Sequence, residues 1–415
     1  MLIVGRGLMG IGAALILPAT LALIPLQFSG RTQLTAFGIW QAVAWGGQAL
    51  APAIGGILTD GPGWRWLFWI NVPLGIVAFA VIRSVTPESA EADADRRIDW
   101  GGFVTIGLAV FALLYALTDG PTAGWSSPLV LTLFVAAVVL AVAWVVIEAR
   151  VKSPLVDLSL FRLRTYDGAL TANLTMNLAY AGLSYVLVLW LQSARGYSAV
   201  TAGILMLPAV IGIFGFIPLG GRMDSRVGGR TPVLIGLVVL AVGMGLLGAL
   251  HGDSTLWLVS AALIVIGAGL GLLSTPVSNT AVGDVPGSLS GAAAGVFKMS
   301  SMVGGALGVA LLSAIARALT ISDSQRAVAD SGMTDAEIDQ AHAALVNSNS
   351  FADALGRLPA ELERKVTDAV VVAFTHGLAV TTIVTAVFTL FAAVAVWFLW
   401  PRGELRGDGE STDKS

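Results

Sequence analysis

The chain has 415 residues, 56% of them hydrophobic and only 12% charged, with a mean hydropathy of +0.83. A soluble domain carries roughly 25% charged residues, so this chain has half the charge needed to face water and reads as an all-α integral membrane protein. Its 23 bases and 26 acids, with no polybasic run, exclude a nucleic-acid partner, and its lack of cysteine excludes disulfides, thiol catalysis and cysteine-based metal sites.

A helix crossing about 30 Å of hydrocarbon at 1.5 Å per residue needs about 20 apolar residues. Eleven runs meet this requirement, at 2–26, 34–58, 64–83, 101–118, 128–148, 167–192, 199–219, 231–250, 256–277, 289–317 and 369–400. Most connections are short and rich in Gly, Pro, Asp and Ser; the exceptions are 84–98 and 318–366. No basic region precedes the first run and no cleavage-like site follows a short core, so it is read as a span rather than a signal peptide. Lys and Arg alternate along the chain between rich and poor connections. Fifteen of the 23 bases fall on one side, including Arg31, Arg83, Arg150, Arg164, Arg222, Arg230 and Arg402, whereas the short connections opposite hold only Arg65 and Arg195. The basic side is assigned to the cytoplasm, which places the C-terminus inside and the acidic stretch 318–366 outside. Within that stretch, Thr334 and Glu337 have the spacing of a helix-opening capping box.

The chain repeats internally. Pro18, then Gly38-Ile39-Trp40, then Gly46-Gly47 recur as Pro276, Gly295-Val296-Phe297 and Gly304-Gly305, at a separation of about 257 residues. Eight helices separate the copies, so both cross in the same direction. Parallel repeats of this kind build the two halves of certain secondary transporters. The second copy has three helices before the matched pair and the first copy has none, so symmetry leads to the expectation of three further helices before Met1. The organisation expected is a three-helix remnant of the first bundle at 1–83, a linker with two extra helices at 84–150, a six-helix bundle at 151–400 with its external loop 318–366, and a tail at 401–415.

Three motifs carry a family resemblance. Residues 2–14 place Arg6, Gly10 and Gly12 in the spacing of the fourth-helix motif of the major facilitator superfamily, with Met9 where that motif has glutamine. Arg6 alone also reads as an end-of-helix arginine reaching for the interface. Gly38, Gly47, Ala51-Pro52 and Gly55-Gly56 resemble the same superfamily's antiporter motif, although a packing seam would explain the glycines alone. The stretch 64–75, Trp64-Arg65-Trp66 through Gly75, resembles the fourteen-helix drug:proton antiporter branch and also reads as an interfacial aromatic belt. A fourth segment, 221–230, resembles a degenerate copy of the superfamily's gate loop, with Gly221, Arg226, Gly228 and Arg230 in place, the aspartate one position early at Asp224 and Ser225 at the usual aspartate site.

The resemblance implies a proton-coupled exporter of drug-like or hydrophobic small molecules in the cell membrane. It implies no enzyme activity and no cofactor beyond the proton gradient, and the protein is expected to work as a monomer in the bilayer. Antiporter-motif residues Gly38, Gly47, Pro52, Gly55 and Gly56 would form a hinge, and Arg6, Gly10 and Lys298 would serve transport or coupling. Polar residues at helical spacing are candidates for lining a cavity: Gln41, Trp45 and Gln48 on one helix, and Asn173, Asn177, Tyr180 and Ser184 on another. The same amides could instead tie helices together. Acids crowd the span ends (Asp60, Asp119, Glu148, Asp167) and none lies mid-span, so the sequence offers no evident proton carrier. The alternative to a transporter is a truncated, non-transporting membrane fragment or binding subunit of the same family.

Overall fold

The computed structural model describes residues 2–85, 99–151, 154, 156, 158–249, 256–329 and 360–401. Thr334, Glu337 and the tail bases from Arg402 onward lie outside the described residues. Within them the secondary structure is helical throughout: α1 (Leu2–Gln27), α2 (Gly30–Asp60), α3 (Trp66–Trp69), α4 (Asn71–Val85), α5 (Trp100–Ala123), α6 (Pro128–Glu148), α7 (Arg164–Leu189), α8 (Ala199–Leu205), α9 (Leu207–Val227), α10 (Arg230–Gly248), α11 (Leu256–Ser278), α12 (Ser290–Ala329) and α13 (Ala360–Leu399). Ten stretches among the described residues are long and apolar enough to cross a membrane. At 31 residues, α2 is also long enough, so each of the eleven expected runs is helical.

Two runs are broken where proline removes a backbone donor. The run 64–83 is interrupted at Ile70, between α3 and α4. Pro73 has no N–H for the carbonyl four residues back, and just before it Asn71 donates its side-chain amide to the Leu67 carbonyl at 2.9 Å. The run 199–219 breaks at Met206, two residues before Pro208. Elsewhere helices continue past the expected runs: α12 extends to Ala329 and α13 begins at Ala360, although the apolar spans within them are Gly287–Asp323 and Val371–Leu399. Single wide turns of π-helix close α7 (Trp190–Ala194) and α11 (Asn279–Gly283).

Helices α7 and α9–α13 form one packed bundle. Its main pairings are α9 with α11, α7 with α12, α10 with α11, and α13 with both α10 and α12. Glycines set its tightness. An added Cβ on Gly267 would come within 2.1 Å of the Ala209 carbonyl, and one on Gly308 within 2.1 Å of the Leu178 carbonyl, so these backbones touch where no side chain fits. Helices α5 and α6 pair as a hairpin beside α12. Against this bundle lie α2, along α8 and α9, and α1, against α12. The repeat pairs α1 with α11 and α2 with α12, and the contacts are reciprocal: α1 touches α12 and α2 touches α11.

Candidate functional site

Helix α2 runs beside α8, α9 and α11, and its buried polar residues Gln33 and Gln41 are spent on that border. At its basic end, near Arg31, Gln33 is buried and donates to Asn279 Oδ1 at 3.0 Å; Asn279 Nδ2 in turn donates to Asp224 Oδ2 at 3.1 Å. A Cβ on Gly283 would sit 2.2 Å from Gln33 Nε2, so glycine at this position leaves room for the amide. Two turns further along α2, Gln41 is 2% exposed and donates to the Ser274 carbonyl of α11 at 3.0 Å. At the middle of α2, Trp45 meets Tyr180 of α7 edge-to-face, with ring centroids 5.5 Å apart and planes at 83°. The Gln33, Gln41 and Trp45 contacts run between α2 and the larger bundle, and the Asn279–Asp224 bond continues the first of them within it.

A second crossing joins α1, α2 and α12. The Trp40 indole N–H donates to Thr20 Oγ1 at 3.2 Å, which fixes the ring. The Lys298 ammonium lies over its face, 4.2 Å from the ring centroid, and 5.9 Å from the Phe297 ring. Lys298 makes no ion pair with any carboxylate among the described residues. A desolvated cation–π contact offers about 2 kcal/mol, less than the several kcal/mol that removing an ammonium from water costs. The aromatic cradle offsets part of the charge and leaves the rest uncompensated.

The polar face of α7 is used in part within its own bundle. Asn173 is fully buried, and its amide nitrogen lies 2.7–2.8 Å from the Phe297 carbonyl, Ser300 Oγ and Ser301 Oγ, three acceptors on α12 for two protons. Asn177 donates back to the Asn173 carbonyl at 2.8 Å. Tyr180 is buried against Trp45.

Other expected site residues fall elsewhere. Arg6 lies on an exposed face of α1, and a Cβ on Gly10 would meet nothing within 4 Å. Gln48 is exposed on α2. Within the antiporter-like motif, Gly56 approaches the Val200 backbone, where a Cβ would lie 2.9 Å away. Gly38 permits ordinary contact with Ile217 and Thr275, while Gly47 and Gly55 face open space. The closest approach near the motif's middle belongs to Gly46, where a Cβ would come 2.7 Å from the Phe214 ring. Pro52 lies within the unbroken helix.

The gate segment 221–230 requires a correction. Gly221, Asp224 and Arg226 are not in a loop, because α9 stays helical to Val227. The turn itself is short: Gly228, at φ +78°, ends α9, and Arg230 opens α10. This helical extension aims Asp224 at Asn279. Arg230 is turned the other way, donating to the Trp397 carbonyl at 2.7 Å with its guanidinium over the Trp397 ring.

Sequence reading missed Gln33, Trp40, Thr20, Ser274 and Asn279. Gln33 and Asn279 lie just outside the apolar runs 34–58 and 256–277, where polar residues lower the local hydropathy. The signal for Gln33 was its position eight residues before Gln41, two helical turns along the same helix.

The family profile described as Major Facilitator Superfamily matches residues 1–309. The quinolone resistance protein NorB of Staphylococcus aureus strain MRSA252 is 32% identical over 317 residues, covering 76% of this chain and 68% of that protein; the protein of the same name from strain MW2 matches to the same extent. Among solved structures, a bacterial homolog of the human lysosomal transporter Spinster, in an inward-facing and occupied conformation, aligns with a TM-score of 0.45 and 16% identity over 95% of this chain and 93% of that one.

Proposed function

The chain belongs to the Major Facilitator Superfamily as a multi-pass membrane protein, and on that premise we propose that it exports drug-like, hydrophobic small molecules across the cell membrane by alternating access, driven by the proton gradient. The observation that carries this reading is the seam along α2, where polar and small residues meet the larger bundle at both ends and aromatic rings meet at its middle. A border of this kind can open at one end while staying closed at the other, because short polar contacts break and re-form at little net cost. The Gln33–Asn279–Asp224 chain serves as the inner latch and the Gly56–Val200 contact as the outer one. Gly38, Gly47, Pro52, Gly55 and Gly56 act along α2 as the hinge segment, and Arg6 and Gly10 take part in transport from α1. Gln41, Trp45, Gln48, Asn177 and Tyr180 border the path, with Asn173 holding its α7 wall to α12. The basic ends of the helices face the cytoplasm, as does the C-terminus. Similarity to a quinolone resistance protein makes quinolones the first compounds to offer.

The test is export of a fluorescent amphiphile from cells producing the full chain. Accumulation should fall relative to cells with an empty vector, and collapsing the proton gradient with an uncoupler should restore it. Efflux that persists after collapse would refute the coupling, and equal accumulation in both cell types would refute export.

A further inference from the structure

We propose that Lys298, seated on Trp40, is the anion-binding point of the substrate path, so that the preferred substrates are amphiphiles carrying a carboxylate. The proposal rests on the transport reading above and names the substrate class for the same path.

Register comes first. Lys298 is eight residues into α12 and Trp40 ten residues into α2, about 12 Å and 15 Å along their helices from Ser290 and Gly30, so neither is a helix-terminal residue. A lysine that merely reached for water would extend along its helix towards the end. Here the ammonium is instead held 4.2 Å over an indole that belongs to the opposite half of the repeat. The indole is itself anchored, through its N–H, to Thr20 of α1.

Charge comes second. Every recorded partner of Lys298 among the described residues is an aromatic ring, and no carboxylate pairs with it. A cation seated on aromatic rings with no carboxylate partner among the described residues attracts an anion, and a substrate carboxylate would bring both the charge and the hydrogen-bond acceptors that an ammonium lacks on an apolar wall.

Position comes third. Asn173 meets Ser301, which lies one helical turn beyond Lys298 on α12, at 2.8 Å. On α7 the polar face then continues through Asn177 to Tyr180, which meets Trp45 about 23 Å along α2. A molecule with its carboxylate on Lys298 would extend its apolar body toward that aromatic pair. The cation therefore stands at one end of the bordered path, with rings at the other.

The experiment uses two rhodamines, one a zwitterion with a free carboxylate and the other its ethyl ester. Equilibrium binding to the purified full chain in detergent and uptake into inverted vesicles are measured for wild type, Lys298→Gln and Lys298→Arg. Binding of the free acid should weaken about tenfold in Lys298→Gln and return in Lys298→Arg, while ester binding stays within twofold in all three. Equal loss of both compounds in Lys298→Gln would overturn the proposal in favour of a structural role, and unchanged binding of both would overturn it in favour of a lysine that simply reaches for water. Wild type that binds neither compound also overturns it. If the free acid binds as expected but no vesicle accumulates it, the anion site stands and the transport reading fails.

Discussion

Helices of nearly equal hydropathy meet opposite fates in the two parts of the molecule. An 18-residue window of Trp66–Ser84, with mean hydropathy 1.7, has none of its residues buried, whereas one of Arg164–Ala194, at 1.5, has 61% buried. Glycine divides the same way. In α1, Cβ atoms built on Gly5, Gly7, Gly10 and Gly12 would meet nothing, while those on Gly212, Gly267 and Gly308 would run into backbone. Hydropathy reports which segments leave water, and it does so for both regions. Which face of a segment meets protein is decided by a neighbour's shape, and a glycine in sequence does not say whether that neighbour is there.

This contrast can be broken by experiment. The largest effect is expected from Gly267→Val. Its new Cβ would lie 2.1 Å from the Ala209 carbonyl, a backbone atom that cannot swing aside, so about 3 kcal/mol or more of stability should be lost, whereas Gly10→Val should cost less than about 0.5 kcal/mol. Thermal unfolding of the purified proteins in detergent, followed by monodisperse recovery, separates the two. Similar melting temperatures would mean that α9 and α11 are not in the contact described.

A test of the seam between the regions follows. The chain has no cysteine, so Gln33→Cys with Asn279→Cys gives a thiol pair without background. Bridging the pair with a short reducible bifunctional reagent should stop export and reduction should restore it. Export that continues in bridged protein would show that the inner end need not open. The smallest effect concerns two amides. Asn173→Leu removes the amide donor that ties α7 to α12 and should lower stability by about 1 kcal/mol, while Gln48→Leu on the exposed side of α2 should change it by less than about 0.5 kcal/mol. Denaturant midpoints that fall equally would erase the distinction between the regions.

The fold was legible because span length and charge asymmetry are one-dimensional properties. All eleven runs appear as helices, and the main departures are the breaks beside Pro73 and Pro208 and the helical extensions to Ala123, Val227 and Ala329 and from Ala360. The candidate site was legible in part. Gln41, Trp45, Asn173 and Tyr180 stand out as polar or aromatic residues at helical spacing, but their partners do not. The Ser274 carbonyl is backbone, and no sequence pattern reveals which carbonyl an amide will find. Lys298 was visible as an isolated charge, yet its pairing with Trp40 depends on how α12 crosses α2. Asp224 looked displaced by one position in a loop motif; in the structure that position is helical, and the one-residue offset turns its carboxylate towards Asn279.

Trp45 sits at the midpoint of α2, fifteen residues from Gly30 and fifteen from Asp60. A rigid rod of 31 residues is about 46 Å long, so tilting it by about 10° about its centre would carry each tip about 4 Å, in opposite directions. Gln33 and Gly56, about 18 Å and 16 Å from that centre, would each move about 3 Å, enough to part the Gln33–Asn279 hydrogen bond at one end and the Gly56–Val200 contact at the other. If α2 turned as a unit on the Trp45–Tyr180 edge contact, it would act as a seesaw: the tilt that presses one end against its seat would lift the other.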